Sequence, residues 1–160
     1  EDYLRYVFYI RVDTGKEKAA LFNTHLSWKV DENEIRLKQT LELETFVQEK
    51  SGVLPVVLLG DLNGGPDTPS VTHLRKRLKW CDTFEAENPG DPGLTWDYRN
   101  LYAEAEREKM AERRIDYIFI RERTGPFEKI RSSGVVFNKP SAAGVFPSDH
   151  FGVITEFSDK

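Results

Sequence analysis

Two polar side chains follow a short apolar run in the middle of the sequence. Residues 53–59 are apolar apart from Pro55, and Asp61 and Asn63 come shortly after them. A short unbroken apolar run bounded by turn residues is typical of a strand buried on both faces. Residues two apart on a strand point the same way, so Asp61 and Asn63 are expected together at the strand end. Such a pair suits a cation or a water held against a phosphate; an ordinary turn is the alternative.

Other acids and histidines lie at or beside the ends of further predicted strands. They are His25, Asp116, Asp149 and His150. With Asp61 they provide the groups that phosphate-ester hydrolysis uses: oxygen ligands for a hard divalent cation, a group that activates water, and groups that offset charge on the phosphoryl oxygens. We therefore predict that folding brings these residues into one pocket. A lone histidine at a strand end is more often structural, and this alternative stays open for His25.

The donor set favours magnesium or manganese over zinc. The sequence has one cysteine, Cys81, and no helical His-x-x-x-His pattern, so a compact nitrogen and sulfur cage for zinc is absent. Mg²⁺ typically keeps several waters beside one or two carboxylates. Mg²⁺ (or Mn²⁺) is therefore the expected cofactor.

Asp116 stands among apolar residues, where a carboxylate is costly to bury without a partner. Two kinds of partner are open at this point. One is a salt bridge to Arg113 or Arg114. The other is a histidine whose ring the carboxylate orients.

The strands that must position these groups are predicted from apolar patterning. They lie at residues 3–12, 18–26, 53–59, 114–121, 127–137 and 151–157, with a short further strand at 80–84. The first two are expected to pair antiparallel. In the first, alternation places one set of side chains against the core: Leu4, Tyr6, Phe8, Ile10 and Val12.

Two helices are predicted to pack on this sheet. Residues 31–50 carry an apolar stripe and begin with Asp31 and Glu34 as a capping box; the stripe consists of Ile35, Leu37, Leu41, Leu43, Phe46 and Val47. Thr68 begins a second helix, on which His73 is expected at the surface. Residues 102–114 also have helical propensity. The order strand, helix, strand predicts an α/β (α+β) domain with helices layered on a sheet.

Composition excludes several classes of protein. The chain has 160 residues, 39% hydrophobic and 31% charged, which fits one globular domain. The net charge of −4 gives no broad basic surface for nucleic acid. A single cysteine excludes a disulfide framework and favours a reducing, cytoplasmic compartment. No apolar stretch is long enough for a membrane span.

Four motifs resemble one known family. Asn23-Thr24-His25-Leu26, Gly60-Asp61-Leu62-Asn63, Arg114-Ile115-Asp116-Tyr117 and Ser148-Asp149-His150 occur in the order and approximate spacing of the endonuclease/exonuclease/phosphatase superfamily. The resemblance covers nearly the whole chain and implies the DNase I-like fold, a two-sheet β-sandwich flanked by helices. It implies a divalent-metal-dependent hydrolase of phosphate esters, most simply a phosphodiesterase or nuclease.

The resemblance also implies a role for each residue of the motifs. His25 would contact the scissile phosphate, and Asp61 and Asn63 would align the water and the phosphate. Asp116 would hydrogen-bond His150 and fix its tautomer, so that the imidazole acts on the water or the phosphate. Asp61 and Asp149 would lie at the metal.

One part of the family pattern has no match in this sequence. The family places an Asn and a metal-binding Glu ahead of the strand that begins at residue 3, and Glu1 is too close to that strand to serve. We therefore expect residues 1–160 to be the C-terminal portion of one domain, with the missing N-terminal half as a partner. A phosphate-ester-binding module of the same fold that has lost catalysis is the alternative function, and a purely structural α/β domain is a third.

The substrate stays open at this point. Nucleic acid, a phospholipid headgroup, an inositol phosphate and a phosphotyrosyl-DNA adduct all carry suitable phosphate groups. Thr95-Trp96-Asp97 and residues 146–150 are similar to the tyrosyl-DNA phosphodiesterase 2 branch, and a sphingomyelinase-like enzyme is a further alternative. Trp96 would then contact the substrate by stacking on a base, unless it fills the core.

Overall fold

The computed structural model describes residues 4–13, 15 and 17–158, so Tyr3, in the first predicted strand, lies outside the described residues. The strands of the described part are β1 Val7–Asp13, β2 Lys18–His25, β3 Val56–Asp61, β4 Cys81–Asp82, β5 Asp116–Ile120, β6 Ile130–Val136 and β7 Gly152–Phe157. Its α-helices are α1 Asn33–Ser51, α2 Pro69–Thr72, α3 Thr83–Glu87 and α4 Leu101–Glu104. A π-helical turn at His73–Arg77 continues α2, and a 3₁₀ turn at Gly125–Phe127 precedes β6.

Five strands form one mixed sheet in the order β1-β2-β3-β5-β4, and β6 and β7 form a second sheet. β1 and β2 pair antiparallel, as predicted. β2 and β3 are parallel, which requires a crossover between them, and α1 provides it. β3 and β5 are antiparallel, so the end of β3 lies beside the start of β5. The predicted α+β class is confirmed.

The larger core lies between the five-stranded sheet and helices α1 and α2. Phe22 and Leu58 from the sheet pack there with Leu43 and Val47 from α1 and Val71 from α2. These side chains are almost fully removed from water, so their burial contributes much of the favourable free energy of folding. The helices therefore hold the sheet from one side.

The second core lies on the opposite face of the same sheet. Val57 and Ile120 pack there against Phe127 and Ile130. β3 contributes to both cores, as expected of an unbroken apolar run. The predicted start of this strand is wrong, because the chain leaves α1 through a turn after Ser51, and Val53 is 98% exposed.

The predicted inner face of β1 is also wrong. Val7 and Tyr9 pack against the larger core. The side chains predicted to face inward include four that are at least 56% exposed: Leu4, Tyr6, Phe8 and Ile10. β1 is an edge strand with large apolar residues on both faces, so alternation alone does not decide which face is buried.

The apolar stripe predicted for helix α1 is confirmed only in part. Leu43 and Val47 are buried and Phe46 packs against the larger core, whereas Ile35 and Leu41 are each 43% exposed. The other buried residues of the helix are Arg36, Thr40 and Ser51. The buried guanidinium of Arg36 donates to the carbonyl oxygens of Ser27, Lys29 and Val30, which compensates its burial. Glu32 occupies the N-cap position without a side-chain cap, so the predicted capping box does not form.

His73 is buried rather than at the surface. Its Nε2 lies 2.7 Å from Oε2 of Glu44 on α1. A π-helical turn begins at His73, in which Leu78 N donates to His73 O and the helix widens. Glu44 on α1 therefore provides a hydrogen-bonding partner that compensates the burial of the His73 imidazole.

Two further predictions are correct only in part. The strand predicted at 80–84 is limited to β4, because Asp82 accepts from Glu85 N and begins α3. Of residues 102–114, only the first few belong to an α-helix, α4. Across the described ranges, none of the helices combines the length and apolar character that a membrane crossing requires.

A buried ion pair fixes the start of β5. Arg114 Nη1 donates to both carboxylate oxygens of Asp82, at 2.9 and 2.8 Å, and both side chains are nearly inaccessible to water. The guanidinium also lies over the rings of Phe84 and Tyr117. Removing one member of such a pair leaves an unpaired buried charge.

We therefore expect Arg114→Met to lower the free energy of unfolding by about 3–5 kcal/mol, because Asp82 would stay buried without its partner. Urea denaturation measures the change. Arg107→Met is the matched control, since Arg107 pairs with Glu104 at the surface, and it should change stability by less than about 1 kcal/mol. Equal effects of the two substitutions would contradict the assignment.

Candidate active site

The register of the sheet aligns three of the predicted site residues. His25 is the Cα partner of Asp61 across the parallel pair of β2 and β3, and Asp61 is the partner of Asp116 across the antiparallel pair of β3 and β5. Directly opposed residues on neighbouring strands point to the same face. His25, Asp61 and Asp116 therefore form one row at the end of three adjacent strands.

Gly60 permits the close approach of β2 and β3 immediately before Asp61. Its φ is +133°, a region that residues with a Cβ rarely adopt. A Cβ at this position would collide with the carbonyl oxygen of Thr24 on β2. A glycine is therefore required to place Asp61 beside His25.

His150 reaches this row from the loop before β7. Its Nδ1 lies 2.8 Å from Oδ2 of Asp116. The partner of Asp116 is thus a histidine, and Arg114 forms its salt bridge with Asp82 instead. The ring of Trp96 contacts the His150 ring edge-on, with centroids 5.1 Å apart. Trp96 is 3% exposed, so its faces are covered by protein.

Asn63 is buried in the loop after β3 and is hydrogen-bonded to Asp61. It is 4% exposed, its backbone N–H donates to Oδ1 of Asp61 at 2.7 Å, and its Nδ2 donates to the carbonyl oxygen of Leu26 at 3.2 Å. Its φ of +48° belongs to the left-handed region, which Asn adopts more readily than most residues. Asn63 therefore connects the loop after β3 to the end of β2.

Asp149 is the predicted site residue that lies apart from the others. Its side chain is exposed and accepts a hydrogen bond from Ser148 Oγ at 3.1 Å. It stays on the loop that carries His150, outside the group that the sheet assembles.

Asp61, Asp116 and His150 offer a set of metal ligands. One ligand atom from each lies within 4.8 Å of the others. Two carboxylates and one imidazole form an oxygen-rich ligand set, which a hard divalent cation prefers. The set contains no thiolate, the ligand typical of sulfur-rich zinc sites. Asp61 and Asp116 are like charges side by side, and a bound cation would relieve their repulsion.

The electrostatics of the site reflect this crowding. Burial, together with the neighbouring charge of Asp116, raises the pKa of Asp61 to about 6. Burial lowers the pKa of His25, and the positive charge of Arg5 lowers it further. Burial acts to lower the pKa of His150 as well, but the hydrogen bond and charge of Asp116 outweigh it, so that this pKa is raised.

Two residues that support the site escaped the sequence analysis. Arg36 binds the backbone that follows His25, and Asn100 binds the backbone that precedes His150. An arginine within a charged helix and an asparagine before a short helix carry no distinctive sequence signal. Their role becomes visible only from the tertiary contacts.

Comparison with solved structures identifies the fold. No family model matches the sequence, and no curated protein matches it. A solved structure of D. rerio TDP2 complexed with a single-strand DNA product superposes with a TM-score of 0.74 at 22% identity, covering 97% of this chain and 62% of that one. The human Nocturnin catalytic domain with a bound sulfate anion gives 0.68 at 18% identity, covering 96% and 52%.

A third similar structure is an endonuclease/exonuclease/phosphatase family protein from Bacteroides thetaiotaomicron. It superposes with a TM-score of 0.66 at 22% identity, covering 91% of this chain and 51% of that one. The chain thus spans between about half and two thirds of the length of these three structures. The resemblance seen in the sequence is confirmed at the level of the fold: this chain has the DNase I-like fold that these solved structures share.

Proposed function

We propose that this chain carries the active site of a divalent-metal-dependent phosphodiesterase. The observation that supports this most strongly is the row of His25, Asp61 and Asp116 at the end of the sheet, with His150 hydrogen-bonded to Asp116. Residues from four separate segments of the chain meet there, and each is of a type that phosphate-ester hydrolysis uses.

Asp116 and His150 form the acid–base part of the proposed site. A carboxylate that accepts from Nδ1–H holds the neutral imidazole in the tautomer whose Nε2 is free to accept. His150 Nε2 would then take a hydrogen bond or a proton from the attacking water. Trp96 packs against the ring and limits its rotation.

His25 is the residue that we propose contacts the substrate phosphate. Its side chain is 56% exposed, and its Nε2 lies 3.3 Å from Oδ2 of Asp61. When protonated, it would offset negative charge on a phosphoryl oxygen. Asn63 would keep Asp61 and the end of β2 in register while this happens.

We propose Mg²⁺ or Mn²⁺ as the metal. Asp61 and Asp116 would hold it, since one carboxylate oxygen of each lies in the three-residue cluster. A role for Asp149 as a further ligand stays a prediction, because its exposed side chain lies outside this cluster. When bound, the cation supplies Lewis-acid stabilisation of the phosphoryl oxygens. The residues of the chain orient the water and the ester around it.

Single-stranded nucleic acid is the proposed substrate class. The similar D. rerio TDP2 structure contains a single-strand DNA product, and its chain superposes on nearly all of this one. The net charge of −4 provides no broad attraction for a polyanion, so recognition would depend on the site itself. We therefore expect a short single-stranded oligonucleotide to be hydrolysed faster than duplex DNA.

A phosphate-ester-binding module is the second candidate. The observation in its favour is the composition of the cluster, which contains no glutamate among the described residues, whereas the family pattern includes a metal-binding Glu. Binding of a phosphodiester that persists in excess chelator, without turnover, would favour the module over the enzyme.

His150→Ala should lower kcat/KM for a generic phosphodiester with Mg²⁺ by about 100-fold or more, because it removes the group that acts on the water. Asp61→Ala should have an effect of similar size, and EDTA should abolish the activity of the unaltered chain. A chromogenic phosphodiester assay measures all three. Asp67→Ala is the control, since Asp67 is an exposed acid in the loop that follows Asp61. Normal rates in both site variants, with the fold intact by circular dichroism, would rule out the assigned roles.

Asp61→Asn should stabilise the metal-free chain at pH 7.5 by about 1–3 kcal/mol. The folded-state pKa of Asp61, about 6, exceeds that of an unfolded aspartate, so its ionised form opposes folding above pH 6. The gain should shrink as the pH falls through 6 towards 4, where the folded carboxyl protonates. Urea denaturation with EDTA across this pH range measures it, with Asp67→Asn as the exposed control. A variant that is less stable than the unaltered chain at pH 7.5 would contradict the assigned environment.

A further inference from the structure

A buried asparagine connects helix α4 to the loop that carries His150. Asn100 is 0% exposed, and its Nδ2 donates to the carbonyl oxygens of Ser148 at 2.8 Å and Asp149 at 3.1 Å. These carbonyls belong to the two residues that directly precede His150. One amide group thus holds the backbone on the N-terminal side of the histidine.

The other polar atoms of Asn100 fix the amide itself. Its Oδ1 accepts from the backbone N–H of Tyr102 at 3.1 Å, which caps the start of α4. Its backbone N–H donates to the carbonyl oxygen of Asp97 at 2.9 Å. The amide therefore cannot turn away from the loop without losing the helix cap.

The same segment also holds the C-terminal side of the histidine and its carboxylate partner. The carbonyl oxygen of Thr95 accepts from Phe151 N at 2.8 Å. Thr95 Oγ1 accepts from the backbone N–H groups of Ile115 at 3.1 Å and Asp116 at 3.2 Å. Residues 95–100 thus contact the backbone on both sides of His150 and the backbone of Asp116.

The geometry points to Asn100 as a positioning residue that sets the approach of the His150 ring to the Asp116 carboxylate. Residues 147–149, which precede His150, are exposed, so the packing of their side chains does little to fix the loop. The two hydrogen bonds from Asn100 replace that packing. The catalytic consequence rests on the proposed function, whereas the structural consequence for the His150–Asp116 hydrogen bond does not.

Asn100→Ser separates this role from helix capping. A serine at the N-cap still accepts from Tyr102 N, but it lacks the amide donors that reach Ser148 and Asp149. Asn88→Ser is the matched control, because the Nδ2 of Asn88 likewise donates to two carbonyl oxygens, those of Phe84 and Ser133, away from the site. Both substitutions remove a pair of side-chain donors to the backbone.

The direct readout is ¹⁵N NMR of the imidazole rings, which is tractable because the chain has only three histidines. In the unaltered chain and in Asn88→Ser, we expect a slowly exchanging His150 Nδ1–H signal from the bond to Asp116. In Asn100→Ser this signal should broaden or disappear, while the His73 signal is unchanged. An unchanged His150 signal in Asn100→Ser would overturn the proposal.

Kinetics give a second readout on the same variants. Asn100→Ser should lower kcat by about 10- to 100-fold with little change in KM, because the substrate contacts stay while the acid–base group is misplaced. Asn88→Ser should keep the rate of the unaltered chain. If Asn100→Ser does not fold, Asn100→Thr, which also keeps the cap and lacks the amide donors, takes its place. Because the NMR signal requires no turnover, loss of the His150 signal in a chain without hydrolysis would support the positioning role and refute only the proposed activity.

Discussion

The pairing register of β2, β3 and β5 is the constraint on which the site depends. It makes His25 the neighbour of Asp61, and Asp61 the neighbour of Asp116, at one end of the sheet. A shift of one residue would turn a strand's side chains to the other face and separate these groups. Two hydrophobic cores hold the register, because each strand buries one set of side chains under α1 and α2 and the other set towards β6. The alignment of these polar groups thus depends on the hydrophobic packing of other residues along the same strands.

The row of polar groups is unfavourable for stability in the absence of a cation. Two neighbouring carboxylates repel each other, and burial of Asp61 makes its ionised form still less favourable. His150 compensates Asp116 through a direct hydrogen bond, whereas the partner of Asp61 is the more exposed and weakly basic His25. A buried carboxylate beside a second carboxylate is an arrangement that the proposed cation would stabilise.

The sequence predicted most strands and the convergence of His25, Asp61, Asp116 and His150, because apolar runs locate strands and polar residues at their ends share an edge. Asp149 was predicted in the same pocket, but its exposed side chain lies on the loop outside this group. The sequence did not predict the buried face of β1, where both faces are apolar and only the tertiary structure decides between them. The burial of His73 and Arg36 was missed for a related reason. Each polar group is compensated by a partner that becomes adjacent only on folding: Glu44 for His73, and the backbone after His25 for Arg36. Asn100 belongs to the same class, since its role depends on a loop almost fifty residues further along the chain.

Diffraction from crystals of this chain grown with Mn²⁺ tests the central claim most directly, because manganese gives an anomalous signal that locates the ion without reference to activity. We predict a single strong anomalous peak at the end of the sheet, with an Asp61 carboxylate oxygen about 2.2 Å from the ion and His150 still hydrogen-bonded to Asp116. A map with no peak near Asp61, or with manganese bound only to acids elsewhere on the surface, would contradict the assignment of this row of residues as a metal-dependent phosphodiesterase site.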